Sequence, residues 1–126
     1  MSYQFHHLHL LCSNLQNSTD FFTEILGATL VTLKKFGAAD GAVLDFGGTT
    51  VNLRVANEGE TVNTDTSHPT YGYHHICVQV ENTYATYKEL SEKGYEFITP
   101  PVNAGDNRIA FFKGPDDIVL EVLQPL

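Results

Sequence analysis

An internal repeat constrains the fold of this chain more than any other feature of its sequence. Two segments with the pattern aromatic-His-His-aliphatic, each closed by an Asn, begin at Phe5 and Tyr73, so that equivalent residues are 68 positions apart. Each segment precedes a stretch of helical apolar spacing, Ser18 to Leu26 and Thr83 to Lys93, and a glycine follows each stretch. Glycine there supplies a left-handed helix cap. We therefore predict one structural unit built twice.

Three strand-like runs follow the helix in each half, which predicts the order strand, helix and three strands twice over. Alternating apolar residues between Gly, Pro and Asp turns are typical of strands. The predicted strands are 28–35, 42–46, 50–55, 95–99, 108–112 and 118–123, and the predicted long loops are 56–72 and 100–107. The sequence thus predicts one α+β domain over 1–126, with modules at about 1–56 and 73–126 and a linker at about 57–72.

Composition and charge limit the partners of the chain. With 126 residues, 42% of them hydrophobic, it can build a core and is not a disordered acidic segment. A net charge of −8 disfavours nucleic acid and anionic membranes as partners. No apolar run approaches the roughly 18 residues of a membrane span. The two cysteines make no disulfide framework and the start lacks a basic signal region, which together favour a cytoplasmic location.

Strand parity gathers a set of polar side chains on the faces that point away from the helices. Alternate residues of a strand share a face. The gathered residues are His7, His9, Asn52, Arg54, His75 and Glu121. Imidazole and carboxylate groups suit a divalent transition metal, and a set of two His and one carboxylate leaves positions open for substrate. By the same parity His6 and His74 point the other way and are expected to be structural, and His68 lies in the linker.

The motifs F-H-H-L-H-L, D-F-G-G-T-T-V-N-L, H-H-I-C-V-Q-V and G-P-D-D-I-V-L-E-V resemble the vicinal oxygen chelate superfamily over essentially the whole chain. That superfamily includes glyoxalase I, methylmalonyl-CoA epimerase, extradiol dioxygenases and fosfomycin- and bleomycin-resistance proteins. The resemblance implies paired βαβββ modules that form an open, barrel-like mixed sheet around a metal ion. It implies His7, His75 and Glu121 as the metal ligands, and Asn52 at the family's fourth position. It also implies a homodimer, with the site inside one chain or across the dimer.

Asn52 bears on which reaction the resemblance implies. Relatives of glyoxalase I usually carry Glu at this position and the epimerases Gln or Glu, whereas Asn cannot act as a carboxylate base. Two His and one Glu form the facial triad of non-heme Fe(II) oxygenases, so dioxygenase chemistry with Fe²⁺ is favoured. The stretch 108–112 lacks the Tyr that ring-cleaving members carry. A glyoxalase-like lyase or epimerase using Mn²⁺, Ni²⁺, Co²⁺ or Zn²⁺, a metal-free bleomycin-resistance-like binding protein and an inactive regulatory domain remain alternatives.

The remaining polar residues receive roles in substrate handling. His9 lies two residues from His7 and is predicted to work as an acid/base beside the catalytic Glu121. Arg54 and Arg108 are candidate contacts for an anionic substrate group, and Asn52 is a candidate substrate contact. The resemblance implies a small-molecule substrate that reaches the metal through two neighbouring oxygens.

Overall fold

Residues 2–126, which the computed structural model describes, form one strand-helix-three-strand unit and then repeat it. The strands are β1 (His7–Leu11), β2 (Thr29–Phe36), β3 (Ala39–Phe46), β4 (Thr49–Arg54), β5 (Ile76–Gln79), β6 (Phe97–Ala104), β7 (Asn107–Lys113) and β8 (Val119–Pro125). The helices are α1 (Leu15–Asp20), which continues as a π-helical turn over Phe21–Ile25, and α2 (Thr83–Glu92). A 3-10 turn, Pro115–Asp117, precedes the last strand.

Each half makes a four-stranded mixed sheet. The strand orders are β1-β4-β3-β2 and β5-β8-β7-β6, with the first strand of each half parallel to the last and all other pairs antiparallel. This architecture confirms the predicted α+β fold with two βαβββ modules. The chain divides into two compact units, Met1–Thr64 and Asp65–Leu126, and the division falls inside the segment predicted to be the linker.

An asparagine caps the helix of each unit. Asn14 Oδ1 accepts a hydrogen bond from the N–H of Asn17 at 2.9 Å, and Asn82 Oδ1 accepts one from Ala85 at 3.0 Å. This cap starts α1 at Leu15 rather than at the predicted Ser18, because Asn satisfies N–H groups that the first helical turn leaves unpaired. None of the helices in the described residues is long and apolar enough to cross a membrane.

The helices cover one face of each sheet and bury its core. In the first unit Phe22 lies against Phe46, with ring centroids 6.1 Å apart, and beside the buried Leu44 and Leu53. In the second unit Phe112 is fully buried beside Phe97, with ring centroids 5.3 Å apart. Each such side chain contributes about 1.5–3 kcal/mol on burial. The strand residues that alternate with this core are thereby left to the other face.

The predicted loop over 100–107 is wrong, because β6 runs from Phe97 to Ala104 and β7 begins at Asn107. The ladder between β6 and β7 shifts register between Thr99 and Val102, where Pro100 and Pro101 lie. Proline has no N–H to donate, so a strand accommodates it at an irregularity or an edge. β6 is an edge strand, which is why the prolines do not end it.

Candidate metal centre

The pairing of β1 with β4 places two histidines beside Asn52. His7 aligns with Thr50 and His9 with Asn52 in this parallel pair, so the three polar side chains share a face and the leucines between them point to the helix side. Burial lowers the pKa of His9 below its ordinary value of 6.5, and the charge of Arg54 and the ring of His7 add to this. The neutral imidazole is therefore the favoured form of His9 at neutral pH.

Asn52 carries an orphaned polar atom. The residue is only 8% exposed, and its Oδ1 has no hydrogen-bond partner among residues 2–126. A buried carbonyl oxygen without a partner costs about 1–3 kcal/mol. An oxygen in this state fits a ligand, a metal ion or a metal-bound water as its partner.

In the second unit, His75 meets Glu121. His75 immediately precedes β5, and its Nε2 lies 3.0 Å from Oε1 of Glu121 on β8. The His75 ring also packs edge-on against Phe111, the cross-strand neighbour of Glu121, with centroids 5.2 Å apart. The two side chains are 30% and 13% exposed, so a ligand has access to a largely desolvated pair. The structure thus brings together two of the three predicted metal ligands.

Cys77 is the functional neighbour that sequence reasoning did not assign. It aligns with Glu121 in the β5–β8 pair, and its thiol hydrogen-bonds the carboxylate. Burial raises the pKa of this thiol to about 11, and the charge of Glu121 and the hydrogen bond to it act in the same direction. The protonated thiol therefore donates to Glu121. Strand parity was the available signal, since Cys77 follows His75 by two residues.

An aromatic wall flanks His9. The Phe36 ring packs edge-on against His9, with centroids 4.9 Å apart, and lies over Gly41. A Cβ at Gly41 would collide with the Phe36 ring and would lie 2.6 Å from the carbonyl oxygen of Leu53. Only glycine therefore lets this ring lie on the sheet beside the histidine. No signal in the sequence singles out this arrangement.

The two predicted anion contacts are engaged elsewhere. The Arg54 guanidinium makes a bidentate pair with Glu60, with Nη1–Oε1 at 2.7 Å and Nη2–Oε2 at 3.0 Å. Arg108 donates from Nε to Asn103, and its guanidinium lies 4.6 Å from the centre of the Tyr84 ring of α2. Arg108 therefore lies on the helix-covered face of its sheet, whereas Glu121 lies on the other face. The structure does not bring Arg108 to Glu121.

Each unit holds candidate donor atoms for a metal ion. The first holds His7 with the orphaned oxygen of Asn52, and the second holds His75 with Glu121. Among the described residues, no three or more His, Cys, Asp or Glu side chains gather into a cluster that could hold a metal ion. Imidazole nitrogens, a carboxylate and an amide oxygen are nevertheless the donors that a divalent transition metal takes. The candidate donors of each unit are of a kind that fits such an ion.

The comparison with protein families identifies a superfamily for this chain. The sequence model of the Glyoxalase/Bleomycin resistance protein/Dioxygenase superfamily matches residues 4–122. The chain belongs to this superfamily. One similar solved structure is that of a fosfomycin resistance protein, FosX from Listeria monocytogenes, which contains Mn(II) and sulfate. FosX is 16% identical to this chain over 100% of this chain and 95% of its own, with a TM-score of 0.72, and so shares the fold.

Two further proteins extend the comparison. The lactoylglutathione lyase of Neisseria meningitidis serogroup A is 27% identical over 124 residues, which cover 94% of this chain and 88% of that protein. A glyoxylase/bleomycin resistance protein/dioxygenase domain from Frankia sp. EAN1pec has a solved structure with 25% identity and a TM-score of 0.79, over 100% of this chain and 94% of that one. The likeness to both spans nearly the whole chain.

Proposed function

We propose that this superfamily member is a divalent-metal-dependent lyase or isomerase whose small substrate binds the ion through two neighbouring oxygens. His7, His75 and Glu121 are the proposed ligands. The observation that carries the proposal is the pair formed by His75 Nε2 and Glu121 Oε1, 3.0 Å apart on the face away from α2. The likeness to a lactoylglutathione lyase over most of the chain moves the lyase ahead of the dioxygenase that Asn52 favoured.

Each residue of the proposed site has a role in moving a proton between adjacent carbons. A bound divalent ion would supply Lewis-acid polarisation of the chelated oxygens. Glu121 takes the proton from the carbon beside the carbonyl group and returns it to the next carbon, as a general base must. His9, favoured as the neutral imidazole, acts as a second acid/base, and the Phe36 ring packs edge-on against it. Asn52 Oδ1 accepts a hydrogen bond from the substrate or from a bound water.

Arg54 is the proposed contact for an anionic group of the substrate. It shares the Asn52 face of β4, and its guanidinium already forms a bidentate pair with the Glu60 carboxylate. A substrate carboxylate or phosphate has the same fork geometry and would replace Glu60. Because Arg108 lies over Tyr84 on the opposite face of the second sheet, we leave it out of the proposed substrate contacts.

A dioxygenase using Fe²⁺ is the second candidate function. Asn52 supports this candidate, because a neutral amide adds no second carboxylate to the site. The ligands are then two His and one Glu, which is the set used by non-heme Fe(II) oxygenases. The two candidates differ in their need for oxygen. An oxygenase consumes O₂ with Fe²⁺, whereas a lyase works anaerobically with Ni²⁺, Co²⁺, Zn²⁺ or Mn²⁺.

We propose further that the chain works in the cytoplasm as a homodimer. Both cysteines are free, which suits a reducing compartment. On β2, Val31 and Leu33 are 61% and 64% exposed, and apolar side chains so exposed are typical of association surfaces. A two-fold dimer is the commonest oligomer. Light scattering on the protein as it elutes from a size-exclusion column should give the mass of two chains. The mass of one chain would contradict the dimer.

The experiment that tests the function compares metal-loaded proteins in two assays. The protein is stripped of metal and reloaded separately with Fe²⁺, Mn²⁺, Ni²⁺, Co²⁺ or Zn²⁺. Each sample is assayed without oxygen on the hemithioacetal that glutathione forms with a 2-oxo aldehyde. The same samples are then assayed for oxygen uptake on catechols. Anaerobic turnover that disappears in His75→Ala but survives in His68→Ala supports the lyase. Turnover only with Fe²⁺ and O₂ would replace it with the dioxygenase, and a chain that binds no metal would contradict both.

A further inference from the structure

The same contact between adjacent histidines occurs in both units. Nδ1 of His6 lies 2.8 Å from Nδ1 of His7, and Nδ1 of His74 lies 2.7 Å from Nδ1 of His75. The rings meet edge-on in both pairs, with centroids 5.1 and 5.0 Å apart and interplanar angles of 83° and 82°. His6 and His74 were expected to be structural, since successive strand residues point to opposite faces. Both pairs instead lie at or before the start of a strand, where the rings turn toward each other.

The short Nδ1–Nδ1 distance restricts the tautomers of each pair. One nitrogen must carry the hydrogen and the other must offer its lone pair. In the metal-free chain, Nε2 of His75 faces a carboxylate oxygen of Glu121, which only accepts, so Nε2 carries a hydrogen. In the neutral ring of His75 the lone pair is therefore on Nδ1, and the Nδ1–H of His74 donates to it.

We propose that His6 and His74 are positioning residues that fix the ring orientation and tautomer of the metal-ligating His7 and His75, an inference that rests on the proposed function. The Nδ1 contact leaves Nε2 of each ligand as the nitrogen that binds the ion. A metal-binding histidine is usually held by a hydrogen bond from its other ring nitrogen, and this partner strengthens binding. The adjacent histidine supplies that partner in both units.

A divalent ion bound at Nε2 of His75 would reverse the direction of the hydrogen bond in the second unit. His75 releases the Nε2 hydrogen to solvent, and the hydrogen between the two Nδ1 atoms passes from His74 to His75. His74 takes up a hydrogen from solvent on its own Nε2, so the number of protons on the pair is unchanged. His74 can do this because imidazole has a donor and an acceptor nitrogen that exchange roles.

Two substitutions of His74 separate this role from a structural one. His74→Phe keeps a ring of similar shape but removes the acceptor, whereas His74→Asn keeps an acceptor near the position of Nδ1. We expect Zn²⁺ affinity, measured by competition with a chromophoric chelator, to fall about 10–100-fold in His74→Phe and to be largely restored in His74→Asn. His68→Phe, at an exposed histidine of the loop, is the matched control. Unchanged affinity in His74→Phe, or an equal loss in both variants, would overturn the proposal.

A second readout needs no activity. Nitrogen-15 spectra of the imidazole rings of the metal-free chain should show His75 with its hydrogen on Nε2 and His74 with its hydrogen on Nδ1. Added Zn²⁺ should move both hydrogens to the other ring nitrogen. A wild-type chain that binds no Zn²⁺ would sink the proposed function itself. A chain that binds Zn²⁺ while His74 keeps its tautomer would sink only this inference.

Discussion

Nε2 of His75 and Oε1 of Glu121 lie 3.0 Å apart, although 46 positions separate the two residues in the sequence. The parallel pairing of β5 with β8 explains this contact. It aligns Cys77 with Glu121, and His75 lies only two residues before Cys77, within reach of the same carboxylate. The thiol of Cys77 donates to the same carboxylate. Glu121 thus accepts from two donors, a thiol and an imidazole, on the face that the helix leaves open.

Substitution of Glu121 by Gln should separate catalysis from folding. Gln keeps the size of the side chain and one oxygen acceptor but removes the charge and the base. We expect kcat/KM of the metal-loaded chain to fall about 10²–10⁴-fold, as for loss of a general base. Glu81→Gln, at an exposed carboxylate after β5, is the matched control and should keep full activity. Near-normal turnover in Glu121→Gln would show that the base lies elsewhere.

The pair between Arg54 and Glu60 predicts a dependence of stability on pH. The hydrogen bonds from Arg54 and from the Asn57 N–H lower the pKa of Glu60 from 4.5 to about 2. Because the pKa is lower in the folded chain, this carboxylate stabilises the fold above about pH 4.5, and the effect is lost as the pH falls toward 2. The difference in free energy of unfolding between wild type and Glu60→Gln should therefore shrink between about pH 6 and about pH 3.

Urea unfolding of both chains at several pH values measures this difference. Glu58→Gln, in the same segment, serves as the control for loss of a carboxylate outside the pair with Arg54. If the difference in free energy of unfolding between wild type and Glu60→Gln did not change with pH, the ion pair between Arg54 and Glu60 would not form in solution.

Gly41→Ala should disturb the aromatic wall beside His9. The added Cβ collides with the Phe36 ring and comes within 2.6 Å of the Leu53 carbonyl oxygen, so the ring and the strand must both shift. We expect a loss of about 1–3 kcal/mol in the free energy of unfolding, as for overpacked sites. Phe36→Ala alone and combined with Gly41→Ala completes a double-mutant cycle. Additive effects in that cycle would contradict a direct clash between Gly41 and Phe36.

Asn82→Ala should weaken α2 without touching the proposed site. The side chain accepts the hydrogen bond of the Ala85 N–H, and loss of such a cap costs about 0.5–2 kcal/mol. Asn82→Ser keeps an acceptor and should retain most of that stability. Thermal unfolding of the two variants measures the difference, while Zn²⁺ affinity should be unchanged in both. Equal melting temperatures for Asn82→Ala and Asn82→Ser would mean that the lost stability does not come from the cap.

Residues whose roles are set by local sequence were predictable. Gly27 and Gly94 have φ values of 79° and 94°, and their left-handed conformation follows from their place after a helical pattern. The alternation of strands likewise placed His7 and His9 on one face with Asn52. Both inferences use only the period of a regular element, which the order of residues contains.

Features that depend on tertiary neighbours were not predictable. Arg108 was expected to contact substrate, yet its position relative to Glu121 depends on the register between β7 and β8, which puts the two residues on opposite faces. The collision that makes Gly41 necessary involves Phe36 across a β-hairpin. The contact of His74 with His75 depends on ring rotation at the start of a strand, which parity alone cannot describe.

Metal content of the purified, tag-free chain tests the central claim most directly. Elemental analysis after reconstitution with each divalent ion is compared among wild type, Glu121→Ala, His75→Ala and the control His68→Ala. The account predicts about one equivalent of one divalent metal per chain in wild type and in His68→Ala, and loss of that metal in the other two variants. A wild-type chain that takes up no divalent metal, or an equal metal content in all four proteins, would contradict it.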